Sequence, residues 1–250
     1  PSQPPSPPSP PPVWQTAKGY AQMSNGVVDG ESKADYSGWK VALSSDGLTL
    51  AVASIYAGYP VRTTLHTATG LDSDAGHVRV FTYNGTDWNQ KGSTIYGLHK
   101  NEQLGVSMAM NAKGNILAIG SLYGGSRDAG SNAWPGSVKV RKWNDTDWIT
   151  MGSDENFEYQ CSFRSYDGTR KSACFGNTLS MSADGLVIAM ADFQVGRLFV
   201  YRYDTDNGEW EKANTIQEKS PEGEAGNFGF VVALSGDGMY LYMTSERYGT

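Results

Sequence analysis

The sequence predicts an all-β protein built from repeated four-stranded antiparallel units. Three observations carry that prediction. Glycine supplies 30 of the 250 residues and aromatic side chains 12%, whereas charged residues make up only 18%, a balance that favours strands joined by tight turns over charge-rich helices. Short apolar runs of β-forming residues stop at Ser/Asp/Gly or Asn/Gly turn sequences. The same pair of hairpin patterns then returns along the chain, and such self-similarity outranks local propensity as a guide to architecture.

Residues 1–12 hold eight prolines in twelve positions, which precludes a packed core and favours polyproline II. At about 3.1 Å per residue this segment is a stiff spacer of roughly 37 Å, and its Ser/Pro repeats also suit O-glycosylation or partner docking. Trp14-Gln15 looks like the tail of an earlier unit. The first repeat opens at Gly38-Trp39-Lys40-Val41-Ala42-Leu43 and turns at Ser44-Ser45-Asp46-Gly47 into Leu48-Thr49-Leu50-Ala51-Val52-Ala53. The pattern returns from Gly105, from Phe175-Gly176 and from Phe228-Gly229, with leading glycines 67, 71 and 53 residues apart. Each of the first three units has a second half. Gly76-His77-Val78-Arg79-Val80 is followed by Trp88, Gly136-Ser137-Val138-Lys139-Val140 by Trp148, and Gly196-Arg197-Leu198-Phe199-Val200 by Trp210.

Alternation of Val78/Val80 with Arg79, and of Val138/Val140 with Lys139, predicts strands with one buried and one wet face. Asn84-Gly85 and Asn144-Asp145 turn the chain back into the Trp strands, whose tryptophans are expected to pack. Four strands per unit at this long period describe the blades of a β-propeller. The expected layout is a partial blade over 13–36, blades over about 37–100, 101–160 and 174–220, and a partial blade over 227–250. The start at Pro rather than Met, with no signal peptide, gives the expectation of an internal piece of a longer protein.

Phe175-Gly176 and Phe228-Gly229, with L-A-V-A-S and L-A-I-G-S strands after the turns, resemble the FG-GAP β-propeller repeats of integrin α-subunit heads and of secreted or surface microbial proteins. The resemblance covers about residues 13–250. Ser37-Gly38 and Leu104-Gly105 depart from the FG pair, and no unit has a full GAP. It implies a fragment of a larger propeller of about seven blades. A four-bladed closure, in which the strand of Trp14 completes the last blade, stays open beside it.

Up-down strand order puts the 2–3 and 4–1 loops on one face and the short 1–2 and 3–4 turns on the other. Long 2–3 loops over Ile55–Ala75 and Leu122–Pro135, and a swollen 4–1 link of 28 residues from Trp148 to Gly176 against 17 from Trp88 to Gly105, all fall on the first face. Their side chains Tyr56, Tyr59, His66, Tyr123, Arg127 and Trp134 suit stacking on a sugar or anchoring a protein, so they form the expected ligand-binding set. Cys161 and Cys174 lie in the swollen link, where a disulfide would contribute about 3 kcal/mol in the chain-entropy model; two free thiols are the alternative. Asn84 and Asn144 head N-x-T sequons in equivalent turns, and either glycosylation or plain turn chemistry explains them.

Calcium sites of the integrin kind resemble D-x-D-x-D-G loops in the 1–2 turn. Here Ala42, Ser44 and Leu50 replace ligands around Asp46-Gly47, Asp184 and Asp237 sit in similarly stripped turns, and Lys113-Gly114 stands in the second unit. No cofactor or metal is therefore expected, with Asp72 and Asp74 a weak calcium candidate. Hydrolase, zinc-protease, P-loop and Rossmann signatures are absent and His66, His77 and His99 are scattered, so the chain is expected not to be an enzyme. A net charge of −6 argues against nucleic acid, and no apolar run is long enough for membrane insertion. The expectation is an extracellular or cell-surface recognition or adhesion module for a surface protein or carbohydrate. A structural repeat spacer and an accessory propeller of an enzyme are the alternatives.

Overall fold

The computed structural model describes residues 28–31, 35–58, 74–98, 101–122, 136–153, 176–192, 197–217 and 227–246. Among them there is no helix, and the strands form antiparallel sheets in simple meander order. The first sheet comprises β1 (Ser37–Leu43), β2 (Thr49–Ser54), β3 (His77–Tyr83) and β4 (Trp88–Gln90), with the short β5 (Ile95–Tyr96) added to β3. The second comprises β6 (Leu104–Met110), β7 (Ile116–Ser121), β8 (Ser137–Trp143) and β9 (Trp148–Thr150). The third comprises β10 (Thr178–Met181), β11 (Val187–Asp192), β12 (Arg197–Asp204) and β13 (Glu209–Gln217), and β14 (Asn227–Leu234) pairs with β15 (Leu241–Glu246). This is the all-β, propeller-like architecture that the repeats predict.

The sheets stack face to face. Val78, Val80 and Ile95 of the first meet Leu104, Met108, Leu117 and Ile119 of the second. The other side of the second sheet presents Val138, Val140 and Met151 to Ile188, Met190, Phe199 and Tyr201 of the third. The middle strands are buried on both faces, which corrects the expectation of a wet face: Arg79, against Asp29 and Glu31, and Lys139, against Glu102, are only 8% and 7% exposed. Alternation along these strands records two different neighbours rather than protein on one side and water on the other.

The strand-leading glycines have a steric reason. Gly105 has φ +100°, and a Cβ there would lie 2.5 Å from Cβ of Ala53 in the preceding sheet. Gly176, at φ +83°, would meet the Ser137 carbonyl oxygen at 2.5 Å. Both glycines therefore admit a first strand pressed against its predecessor, and in the second sheet the bulge between Leu104 and Ser107 falls there.

The tryptophans join neighbouring sheets as well as packing. Trp148 Nε1–H donates to the Lys91 carbonyl and Trp210 Nε1–H to the Met151 carbonyl, both at 2.8 Å. The acid before each tryptophan makes a second bond across the same joint. Asp147 accepts from the Ser93 amide and hydroxyl, and Glu209 from the Ser153 amide. Trp148 and Trp210 are buried, and Trp88 is half-buried.

Candidate ligand-binding face

One end of the sheet stack is closed by its own turns. In Ser44-Ser45-Asp46-Gly47, Asp46 Oδ1 accepts the Ser44 hydroxyl and the Leu48 amide, and Ser44 Oγ accepts the Thr49 amide. These bonds, the Ser44 hydroxyl first, hold the Asp46 carboxyl below its ordinary range. Ser182/Asp184 and Ser235/Asp237 repeat the arrangement, and Asn111 replaces the pair in the second sheet by accepting the Asn115 and Ile116 amides. The turns also bond to one another: the Ser45 amide to the Ala112 carbonyl, Ala112 to Ala183, and Ala183 to Gly236. Among the described residues no three His, Cys, Asp or Glu side chains converge as a metal site. Asn84 and Asn144 lie exposed at this end, each Oδ1 accepting the amide and hydroxyl of the following Thr86 or Thr146 and the amide after it. That is the turn role; it neither requires nor prevents a glycan.

The opposite end is where the 2–3 and 4–1 segments leave the sheets. Tyr56 stands there, 4.9 Å from Tyr36 between ring centroids, and Tyr36 is 6.5 Å from Trp39, both pairs edge-on. All three are exposed, at 37%, 56% and 51% respectively. The Tyr56 amide donates to the Asp35 carbonyl, tying the start of the 2–3 segment to the strand entry. Tyr59, His66, Asp72, Tyr123, Arg127, Trp134, Cys161, Cys174 and Trp14 lie outside the described residues. Asp74 is described, in the left-handed region at φ 63°, with its carbonyl accepting the Gln103 amide.

A polar row crosses the first three strands. Ser37 pairs with Ser54, and Ser54 with His77, so these three residues sit opposite one another across β1, β2 and β3. Ser54 and His77 are 0% and 1% exposed. The Ser37 and Ser54 hydroxyls, both His77 nitrogens and Arg79 Nε have no hydrogen-bond partner. Arg79 Nη2 donates to the Asp29 carbonyl at 2.6 Å, while Glu31 lies 3.8 Å from Arg79 and 3.9 Å from His77. Burial lowers the His77 pKa against the opposing pull of Glu31, keeping the ring neutral near pH 7.

In the second sheet Ser121 and Lys139 stand at the positions of Ser54 and Arg79 and are both bonded, whereas Ser137 Oγ, at the position of His77, is buried without a partner. Glu102 is 0% exposed and accepts from Lys139 Nζ at 2.5 Å, the Ser121 hydroxyl at 3.0 Å and the Leu98 amide at 2.5 Å. Asp35 is its counterpart in the first sheet, three residues before the leading glycine, and accepts the Glu31 and Ser37 amides. Asp35, Glu102, Tyr36, Trp39 and the burial of His77 were not among the expected site features. One signal for the acids was present: an acid recurs three residues before the leading glycine in Asp35-Tyr36-Ser37-Gly38 and Glu102-Gln103-Leu104-Gly105.

No family model matches the chain, and no curated protein does either. Among solved structures it is similar to a putative 6-phosphogluconolactonase from Bacteroides fragilis, at 14% identity and TM-score 0.43, over 71% of this chain and 38% of that one. It is also similar to hydrazine synthase from Kuenenia stuttgartiensis, at 11% identity and TM-score 0.46, over 82% and 55%. A third is Hsv2 from Kluyvelomyces marxianus, at 14% and 0.42, over 72% and 46%. The chain thus spans about half or less of the length of each. The first of these bears an enzyme's description, which corrects the expectation that the chain is not an enzyme; no non-catalytic assignment is retained. At such identities the likeness conveys no activity to this chain.

Proposed function

We propose that the chain is an FG-GAP-type recognition module, extracellular or cell-surface, which takes a glycan or protein ligand at the end of the sheets where the 2–3 and 4–1 segments leave. The observation that carries this reading is the Tyr36–Trp39–Tyr56 group. Three large rings stand exposed together on a rigid sheet edge, and aromatic rings so placed offer large contact area at little conformational cost. The closed opposite end supports it, since its turn groups bond one another. Residues 1–12 would hold the module away from an anchoring surface.

Screening of the intact chain against glycan arrays and surface-protein panels tests the proposal. Trp39→Ala and Tyr56→Ala are expected to reduce capture of any hit about tenfold or more, with the thermal midpoint little changed because both side chains are exposed. Undiminished capture by both variants would remove this face from the reading.

A further inference from the structure

Asn84 and Asn144 head the only two N-x-S/T sequences of the chain, and both fall at the same place in a repeat. Each follows an aromatic residue at the end of a third strand, and that residue pairs with the tryptophan that opens the fourth. Tyr83 lies 5.3 Å from Trp88 and Trp143 lies 5.6 Å from Trp148 between ring centroids, so each turn is anchored at its base. Asn84-Gly85-Thr86 and Asn144-Asp145-Thr146 are exposed throughout. A Cβ added at Gly85 would meet nothing within 4 Å, so the tip of that turn faces open space.

Turn chemistry alone does not account for the asparagines. At the corresponding place in the third sheet Asp204 follows Tyr203, which pairs with Trp210. Asp204 Oδ1 accepts the amides two and three residues on, those of Asp206 and Asn207, at 2.9 and 3.4 Å. Asn84 Oδ1 accepts the matching amides of Thr86 and Asp87, and Asn144 Oδ1 those of Thr146 and Asp147. A carboxylate therefore makes the same turn bonds, and it does so with no hydroxyl two residues on. What Asn84 and Asn144 have and Asp204 lacks is a carboxamide nitrogen. Every hydrogen bond of these two side chains runs to Oδ1, so both Nδ2 groups stand free toward solvent. A sugar in place of one Nδ2 hydrogen would leave every one of those bonds intact.

We propose that Asn84 and Asn144 are N-glycosylated, so that the end of the sheets closed by its own turns carries two oligosaccharides. This step rests on the extracellular reading above, because such transfer belongs to secreted chains. The donor is a polyprenyl-diphosphate-linked oligosaccharide. Nδ2 attacks the anomeric carbon of its first sugar, and the nitrogen–carbon bond forms as the bond from that carbon to the phosphate oxygen breaks. The polyprenyl diphosphate leaves with the electron pair, and the nitrogen's proton passes to a base of the transferase. Thr86 and Thr146 supply the hydroxyl that the acceptor sequence requires two residues on. Glycans so placed lie at the end away from Tyr36, Trp39 and Tyr56 and leave the proposed ligand face uncovered.

Peptide mapping of the full chain, purified from the cells that produce it, tests the proposal. Mass spectra are compared before and after peptide-N-glycosidase treatment in heavy-oxygen water. Expected are an oligosaccharide on the peptides of both Asn84 and Asn144, and heavy-oxygen aspartate at both positions after release. The label separates enzymatic release from spontaneous deamidation at Asn84-Gly85. Asn84→Asp and Asn144→Asp should each remove one glycan with an unchanged circular dichroism spectrum, since Asp204 makes the same turn bonds. Thr86→Ala and Thr146→Ala should remove the same glycans with the asparagine still in place. A chain recovered from outside the cell with either asparagine bare overturns the proposal and leaves the recognition reading standing. A chain recovered only from inside the cell, bare at both, overturns it together with the extracellular part of that reading.

Discussion

Glu102 and Lys139 show how a charged pair persists at the centre of a sheet stack. Both are buried, and the carboxylate also holds a serine hydroxyl and a backbone amide, so few of its lone pairs are left unmet. Removing one partner leaves the other charge buried: Glu102→Gln or Lys139→Met is expected to lower unfolding free energy by about 3–5 kcal/mol. The joint replacement Glu102→Leu with Lys139→Met should recover much of that loss in urea denaturation, and failure to recover would mean the pair is specifically required. His77 gives a pH signature. Its folded pKa lies below the ordinary value of 6.5, so below that pH the unfolded chain binds the proton that the folded chain refuses. Stability should therefore be unaffected above about pH 6.5, decline as pH falls through the window down to the folded value, and level off beneath it. His77→Gln should remove that component of the decline in a series of denaturant midpoints. From sequence, His77 reads only as an oddity after a glycine, because its burial depends on the neighbouring face and not on its own strand.

At the scale of elements, hairpins and turns were legible and burial was not. Ser-x-Asp-Gly read correctly as a turn because its bonds are local, within five residues of one another. Val78-Arg79-Val80 read incorrectly because period-two alternation reports that two faces differ and not that one is wet: Val78 and Val80 meet the second sheet, and Arg79 meets Asp29 and Glu31 of the segment before β1. The strand-leading glycines separate two costs that sequence merges. Gly38 has φ +87° with nothing within 4 Å of an added Cβ, whereas Gly105 has φ +100° and Ala53 Cβ at 2.5 Å. Gly38→Ala should cost about 1–2 kcal/mol, the price of the left-handed backbone alone. Gly105→Ala should cost about 1–3 kcal/mol more through overpacking against the preceding sheet. Parallel thermal and chemical melts of the two variants check the ordering; equal losses would show that the joint gives way at no cost. Of the expected ligand-binding residues, Tyr56 alone is described, and its partners Tyr36 and Trp39 escaped notice because the register that gathers them spans β1 and β2.

Across the whole molecule, each sheet touches its neighbours in sequence, so stability is expected to follow a nearest-neighbour sum. The amides of Ala112 and Ala183 lie in turns yet donate across sheet boundaries. Hydrogen exchange at these two amides should be as slow as in β7 or β11, although turn amides ordinarily exchange fast; rapid exchange would show the sheets moving independently. Both tryptophan bonds point one way, from the second sheet to a carbonyl of the first and from the third to a carbonyl of the second. A joint of that kind has distinct front and back surfaces, like a heterologous contact between subunits. It cannot pair with itself, and it carries no count of its own: whether such a series bends into a ring, and of how many members, follows from the rotation at each joint. A whole sheet gained or lost by gene duplication or deletion would therefore leave every remaining joint chemically intact, and would alter only the angle still to be closed.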